Sequence, residues 1–437
     1  MSWERLMLKK ILVQVKTPIQ IQEDKEYKLV TISNTGNITL RKVIKGSQIS
    51  ADQAYSVKKG AFIYSRLSIH TGAFGLVPDE LDGALVTSEM PLFDIMDNTV
   101  PDFLIYSLKL PEFSFQLNNL TKGMGRTRVK EDTFLSLHID IPSIEIQKRL
   151  IKEISDKENQ ISLITQEHLK QIDALKKLRQ QILQDAVQGK LVPQDTYDEP
   201  ASKLLERIKA DKEKLVREKK IKKEKNLLSF RQEEIPFEIP NNWIWCRFGE
   251  VVDMSRGRFS IRPRNDPRYF NGNYPFIQIG SLDENGSVVN NASQTLNELG
   301  KNVSKEFPVG TIAIAIVGGT IGNLGVLGRN MFFPDSIIGI TPSHLYNQQY
   351  VLYFLRYKQP AIKAESYQMA GQPNIKIPTL FNLLFPLPSI SEQNRIVAKL
   401  DQLMTLCDEL EQSIQQNQKF TQEFLQVALK EALEQMN

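Results

Sequence analysis

Two stretches of this chain repeat apolar residues every seventh position. In the first, Ile154, Ile161, Leu175 and Ile182 form the row, His168 fills the remaining slot, and Ile164 and Leu178 occupy part of a companion row. In the second the row is Leu400, Cys407, Ile414, Thr421 and Ala428, with Leu403, Leu410, Asn417 and Phe424 between. Spacing of this kind predicts long helices with one apolar seam. The first is expected from Pro142 to about Gly189, and the second from Pro388. Proline suits a first helical position, because its missing N–H would have no partner there. About 48 residues of helix span ~70 Å. A seam of that length wants a partner helix. The economical partner is the other helix, packed antiparallel; alternatively each seam binds a different protein. Asn417 within a seam is the kind of residue that fixes register. His168, alone in a core row, reads as a packed side chain.

Before each helix the pattern changes to short β-rich runs separated by turn residues. EYKLVTIS, GAFIYSRL and GALVTSEMPLF lie in the first 141 residues, with a short helix expected over Tyr106 to Leu110 and a strand at LHIDI. The layout then recurs. IPSIEIQKRL at 141–150 returns as LPSISEQNRI at 387–396, an offset of 246 that still holds between LQDAV at 183–187 and LKEAL at 429–433. WERL at 3–6 matches WCRF at 245–248, and YKLVTIS at 27–33 matches YPFIQIG at 274–280. Gly60, Gly72 and Gly75 match Gly310, Gly322 and Gly325 at an offset of 250. Three glycines held at fixed spacing imply tight turns or close backbone approach. Insertions therefore fall in the loops of the globular units, while the helical spacer keeps its length. Gly189 ends the first helix, and EEIPFEIPNNW, with two prolines and an Asn-Asn pair, marks the start of the second unit. Four segments result: globular units at 1–141 and 236–387, a central helix with a charged linker at 142–235, and a distal helix at 388–437.

Charge changes the picture in one place. The net charge is +4, yet Lys203 to Lys225 alone holds eleven basic and five acidic residues, leaving the remainder slightly acidic. The basic balance belongs to a linker, either a solvated helix rich in ion pairs or a strap that contacts phosphates. Two cysteines, Cys246 and Cys407, do not make a disulfide scaffold and fit a reducing cytoplasm. No apolar run is long enough to span a membrane, and MSWERLMLKKILVQV does not read as a signal peptide.

Candidate chemistry points away from catalysis. TIAIAIVGGTIGNLGVLGR at 311–329 is glycine-rich but matches neither phosphate-cradling motif, and reads as a buried strand with turns. His70, His138 and His344 form no metal spacing with the cysteines, so neither a metal nor a cofactor is expected. No aromatic tetrapeptide for holding a flipped adenine is present. RGRFSIRPRNDPRYF, by contrast, suits nucleic acid: Arg256, Arg258, Arg262, Arg264 and Arg268 alternate with Phe259, Tyr269 and Phe270. Arginine clamps phosphates or pairs with guanine, and amides such as Asn271, Asn273 and Gln278 can read adenine. The first unit offers a thinner set: Arg66, then Lys122, Arg126, Arg128 and Lys130. The second copy of that basic turn, AGQPNIK, carries Gln372, Asn374 and Lys376.

These segments together resemble the specificity subunit of a Type I restriction–modification system. The resemblance covers essentially the whole chain. It is carried most specifically by PFEIPNNWIWCRFGEV (236–251), LRQQILQDAVQGKLVPQ with DEPASKLLERIKADK (178–212), and PLPSISEQNRIVAKLDQLMTLCDELE (386–411). It implies an α+β fold: two similar β-rich target recognition domains separated by two long antiparallel helices forming an intramolecular coiled coil, with a pseudo-twofold repeat. Ile154, Ile161, Leu175, Ile182, Leu400, Leu403, Cys407, Leu410, Ile414 and Phe424 would form its core. Each domain would read one half of a split double-stranded DNA site. The helices would dock two modification subunits, which bring S-adenosylmethionine and methylate adenine N6, and motor–nuclease restriction subunits would join for cleavage. The specificity subunit itself would be non-catalytic. The first unit departs from the second in being short and poor in arginine, so the two half-sites are expected to differ. Two other readings stay open on the residues alone: a two-domain DNA-binding scaffold or regulator without enzyme partners, and an enzyme in its own right, for which no motif speaks.

Overall fold

The structure, a computed structural model, describes residues 3–49, 53–121, 128–221, 229–368 and 374–434. The chain divides into two compact units. One comprises Met1–His168 with Asn417–Asn437, the other Leu169–Gln416. Both long helices are present, at Ile144–Val187 and Ile390–Glu434. They begin two residues later than expected. Pro142 and Pro388 precede the first turn instead of opening it. A serine caps in their place: Ser389 Oγ accepts the Glu392 amide at 3.1 Å, and the Ser143 carbonyl accepts the Gln147 amide at 3.0 Å. Gly189, at φ +71, ends the central helix in the left-handed region as expected.

In the first unit, strand Glu4–Met7 pairs antiparallel with His138–Ile141, the strand that leads into the central helix. A four-stranded sheet runs Leu12–Val15, Leu92–Ile95, Phe62–Tyr64, Phe74–Leu76. A five-stranded sheet contains the long hairpin Glu26–Ile32 with Ile38–Lys45. The core is aromatic: Phe134 sits 4.5 Å from Tyr64 and 5.6 Å from Phe62, ring centre to ring centre. Such pairs each add about 0.5–1.5 kcal/mol beyond the area they bury. Helix Pro101–Leu108 lies several residues upstream of the short helix expected over Tyr106 to Leu110, because Pro101 starts it and Leu108 ends it.

The second unit repeats the scheme. Ile244–Arg247 pairs antiparallel with Leu384–Leu387, just before the distal helix. The glycine-rich stretch folds as the hairpin Ile312–Ala315 with Leu324–Leu327, whose rungs are Ile312↔Val326, Ala313↔Gly325 and Ile314↔Leu324. The first unit's hairpin pairs Phe62↔Leu76, Ile63↔Gly75 and Tyr64↔Phe74, the same register at the offset of 250. The turn glycines match as well: Gly72 and Gly322 have φ +96 and +81, where a side chain would be strained. The repeat seen in the letters is therefore a repeat of backbone conformation.

One pair of side chains fastens each long helix to its own unit. Gln147 and Gln393, again at an offset of 246, are fully buried. Gln147 Oε1 accepts the Val100 amide at 2.8 Å, and its Nε2 donates to the carbonyls of Pro142 at 2.9 Å and Asn98 at 3.0 Å. Gln393 Oε1 accepts the Asn347 amide at 2.8 Å, and its Nε2 donates to Pro388 O at 3.1 Å. Buried polar groups need such partners. In the second unit the neighbouring Glu392 is also fully buried. Burial pushes its carboxyl above the usual carboxylate range, opposed by hydrogen bonds from Trp243 Nε1 at 2.8 Å and Gln194 Nε2 at 2.5 Å.

Within the second unit the two helices run antiparallel. Arg179 bonds Asp408 and Glu411, while Asp198 bonds Arg395, so ascending positions meet descending ones. Leu175, Ile182 and Ala186 share a core with Leu400, Met404 and Cys407. The seven-residue rows through Ile154 and Leu400 are buried or half-buried as far as Thr421, with the Ala428 side chain outside the described residues; the companion row differs from expectation. It lies four residues on, not three: Ile172, Arg179 and Ala186 on one helix, Met404 and Glu411 on the other, turn inward or partly inward. Leu178 and Leu410 face solvent, as do Ile164 and Phe424, and Asn417 is exposed. Leu403 is partly buried, Ile161 and Ile414 are half-buried, and Ile154 and His168 are buried. The reason is that the Arg179–Glu411 ion pair, 3.0 Å, takes the inward place at its level.

The basic segment is a helix, Ala201–Arg217, packed by Ala201, Leu204, Leu205 and Ile208 into the same core. Lys212 Nζ donates to the carbonyls of Gly249 and Val252, and Lys209 pairs with Glu250 at 2.7 Å. Part of its charge thus neutralises one helix end. Residues 222–225 of that run lie outside the described residues.

Candidate nucleic-acid interface

Residues 256–268 form an exposed loop fixed at its base by aromatic packing. Phe259 is buried against Phe270 at 5.5 Å and Phe276 at 5.3 Å, in a cluster with Leu296 and Phe332 and with Tyr269 packed against it. Phe259 is thus core and cannot stack on a base, while Tyr269 and Phe270 are partly buried against it. Over 256–262 Phe259 turns into this cluster while Arg256, Arg258 and Arg262 stay exposed. Gly257 is needed for close approach, since a Cβ there would lie 2.3 Å from Pro334 O.

All five arginines are exposed. Arg258 Nη2 donates to Ser304 O at 2.7 Å. Arg264 forms a short ion pair with Asp335, and Arg262 lies 3.7 Å from the same carboxylate. Arg268 pairs with Asp266 at 2.6 Å; that carboxylate also accepts the Arg268 amide, and the guanidinium holds it below the usual carboxylate range. Asp266 is buried and structural. Asp335 is half-exposed and, among the described residues, its side chain pairs with these two arginines alone, so a phosphate could replace it. Gln278 is half-buried, and its Nε2 bonds Gln294 Oε1 at 3.2 Å.

The first unit is more closed. Arg66 is largely buried and bonds Glu131 at 2.5 Å. Burial raises the Glu131 carboxyl, but the Arg66 guanidinium outweighs this and holds it below the usual range. The pair lines a cavity of about 50 Å³ with Gln14, Tyr55 and Ser88. Arg128 reaches Glu89 at 3.3 Å and stays exposed. Lys130 and Lys376 occupy matching places, each exposed at the position just before a five-residue helix, Glu131–Leu135 and Ile377–Phe381. Asn374 is half-buried, with an Oδ1 that has no partner among the described residues. Lys122, Arg126 and Gln372 lie outside the described residues. Among the described residues no cluster of His, Cys, Asp or Glu could hold a metal, and no helix is long and apolar enough to cross a membrane.

A twice-occurring α+β domain, each copy leading into a long helix, defines the class of this fold. The family model for the Type I restriction modification DNA specificity domain matches residues 8–174 and 240–419, and the chain belongs to that family. The two matched segments coincide with the two copies of the repeat. The chain is 35% identical over 252 residues to the Type I restriction enzyme EcoAI specificity subunit of Escherichia coli, covering 54% of this chain and 41% of that one. It is 33% identical over 249 residues to the EcoEI specificity subunit of the same organism, covering 54% and 40%. It therefore spans well under two thirds of the length of these curated relatives. Two solved structures share the fold. One, from work on complex assembly and conformational transition of the type I R-M system, gives a TM-score of 0.67 at 18% identity over 98% of this chain and 97% of the other. The HsdS subunit from Thermoanaerobacter tengcongensis gives 0.54 at 19% over 98% and 96%.

Proposed function

We propose that the chain is the DNA specificity subunit of a Type I restriction–modification complex. Each domain reads one half of a bipartite, asymmetric site, and the length of the helices sets the number of unread base pairs. The observation that carries this is the duplicated domain of the matching family, whose second copy presents five exposed arginines on an aromatic base. Phosphate contacts fix register and base contacts specify. The chain itself is non-catalytic. Two adenine-N6 methyltransferase subunits dock on it, supplying S-adenosylmethionine and the transfer chemistry, and restriction subunits join through the complex in the cytoplasm. The distal helix supports the docking: Leu406, Leu410, Phe420, Phe424 and Val427 are all more than half exposed. Exposed apolar stripes of this kind mark protein contacts. Mapping adenine methylation in cells that express the chain with its modification subunit tests the reading.

The arginine loop gives a second expectation. Asp335→Asn removes the carboxylate that competes with phosphate for Arg262 and Arg264. Duplex affinity at low salt is expected to rise roughly 3–10-fold, with the dependence of log K on log salt steeper by about one to two. Titration at several salt concentrations measures both, and weaker or unchanged binding would contradict the assignment of these arginines to phosphates.

A further inference from the structure

Strand Phe270–Phe276 is interrupted near its start. Phe270 and Tyr274 both pair with Leu296, so Asn271, Gly272 and Asn273 bulge out of the ladder. Asn271 adopts φ +63, one of two non-glycine residues in the left-handed region among those described. Bulges re-aim side chains beside functional sites, and strained backbone collects there. This one is held rigidly. Asn297 Nδ2 donates to the carbonyls of Arg268 at 2.9 Å and Phe270 at 3.2 Å. At Gly272 a Cβ would lie 2.4 Å from Asn297 Cα, so only glycine fits. The amides of Asn271 and Asn273 are exposed and have no partner among the described residues. Asn271 also lines an open polar groove of about 250 Å³ with Ser293, Gln294 and Thr295.

We infer that Asn271 is a specificity-determining residue, making the bidentate pair with an adenine in the half-site of the second domain. Asparagine offers a donor and an acceptor side by side, the pattern that matches adenine N6 and N7 in the major groove. A clamped bulge keeps that amide extended, so little conformational freedom is lost on contact. Arg268, three residues earlier, and the rest of the arginine loop would hold the backbone beside it. The inference rests on the DNA-reading function proposed above.

The test uses Asn271→Gly in the complete complex, because glycine tolerates the left-handed backbone while removing the amide. Methylation is mapped in cells expressing the native or variant chain with the modification subunit. The expected result is that one adenine position in one half-site loses roughly 10-fold or more of its discrimination, with the other half unchanged. If the native chain marks no bipartite motif, the functional reading itself fails. If the native motif is bipartite and the variant motif is identical, only the role of Asn271 fails. Should the variant mark nothing, binding by the purified complex decides. Weaker binding to the target with unchanged binding to random duplex supports base reading; equal weakening on both overturns it.

Discussion

Inserting four residues into the central helix immediately upstream of Leu175 is expected to lengthen the unread gap of the methylated motif by one or two base pairs. Four residues add about 6 Å of helix, and a base pair rises 3.4 Å. They also add close to one whole turn, about 40° in excess, so the stripe through Ile182 and Ala186 still faces its core. Both half-sites should keep their sequence, since no residue of either β-rich domain is touched. Sequencing the methylated motif reads the gap directly. An unchanged gap with both half-sites intact would show that helix length is not the ruler. The repeat itself argues for the ruler: its offset drifts through the loops and stays at 246 along the helices.

Gln147→Leu is expected to destabilise the first unit by about 2–4 kcal/mol. The leucine is similar in volume and fully buried, so packing is not the main loss. Two groups lose their only described partner in Gln147: the half-buried Val100 amide and the buried Pro142 carbonyl. Each orphaned buried group costs about 1–3 kcal/mol. Asn98, whose carbonyl takes the third bond, is exposed and can turn to water. Urea unfolding of the full chain, followed with hydrogen exchange at the Val100 amide, measures the effect. An unshifted midpoint with retained protection would contradict the role assigned to this side chain.

What could be read from the letters was what the repeat and the seven-residue rows encode locally. The helix ends at Gly189, the strands before Pro142 and Pro388, and the matched hairpins around Gly72 and Gly322 all follow from periodicity and turn chemistry. What could not be read depends on distant partners. Arg179 and Glu411 fill an inward place that hydrophobicity would give to Leu178 and Leu410, because an ion pair leaves no apolar signal. Arg262 and Arg264 look like free cations until Asp335, about 70 residues away, is folded beside them. Phe259 resembles a stacking residue until its burial is known. Gln147 and Gln393 did carry a signal: a glutamine kept at the repeat offset in the first turn of each long helix. Asn271 carried none beyond its residue type, since the bulge arises from pairing with Leu296.

The claim at the centre of this account is that two similar domains in one chain read two separate halves of a DNA site for enzymes that dock beside them. It is tested most directly by mapping adenine methylation across the genome of cells that express the native chain with its modification subunit. The account predicts a single asymmetric motif of two short specific blocks, separated by an unread gap of fixed length, with one methylated adenine in each block. A continuous motif, or the absence of any mark that depends on this chain, would contradict it.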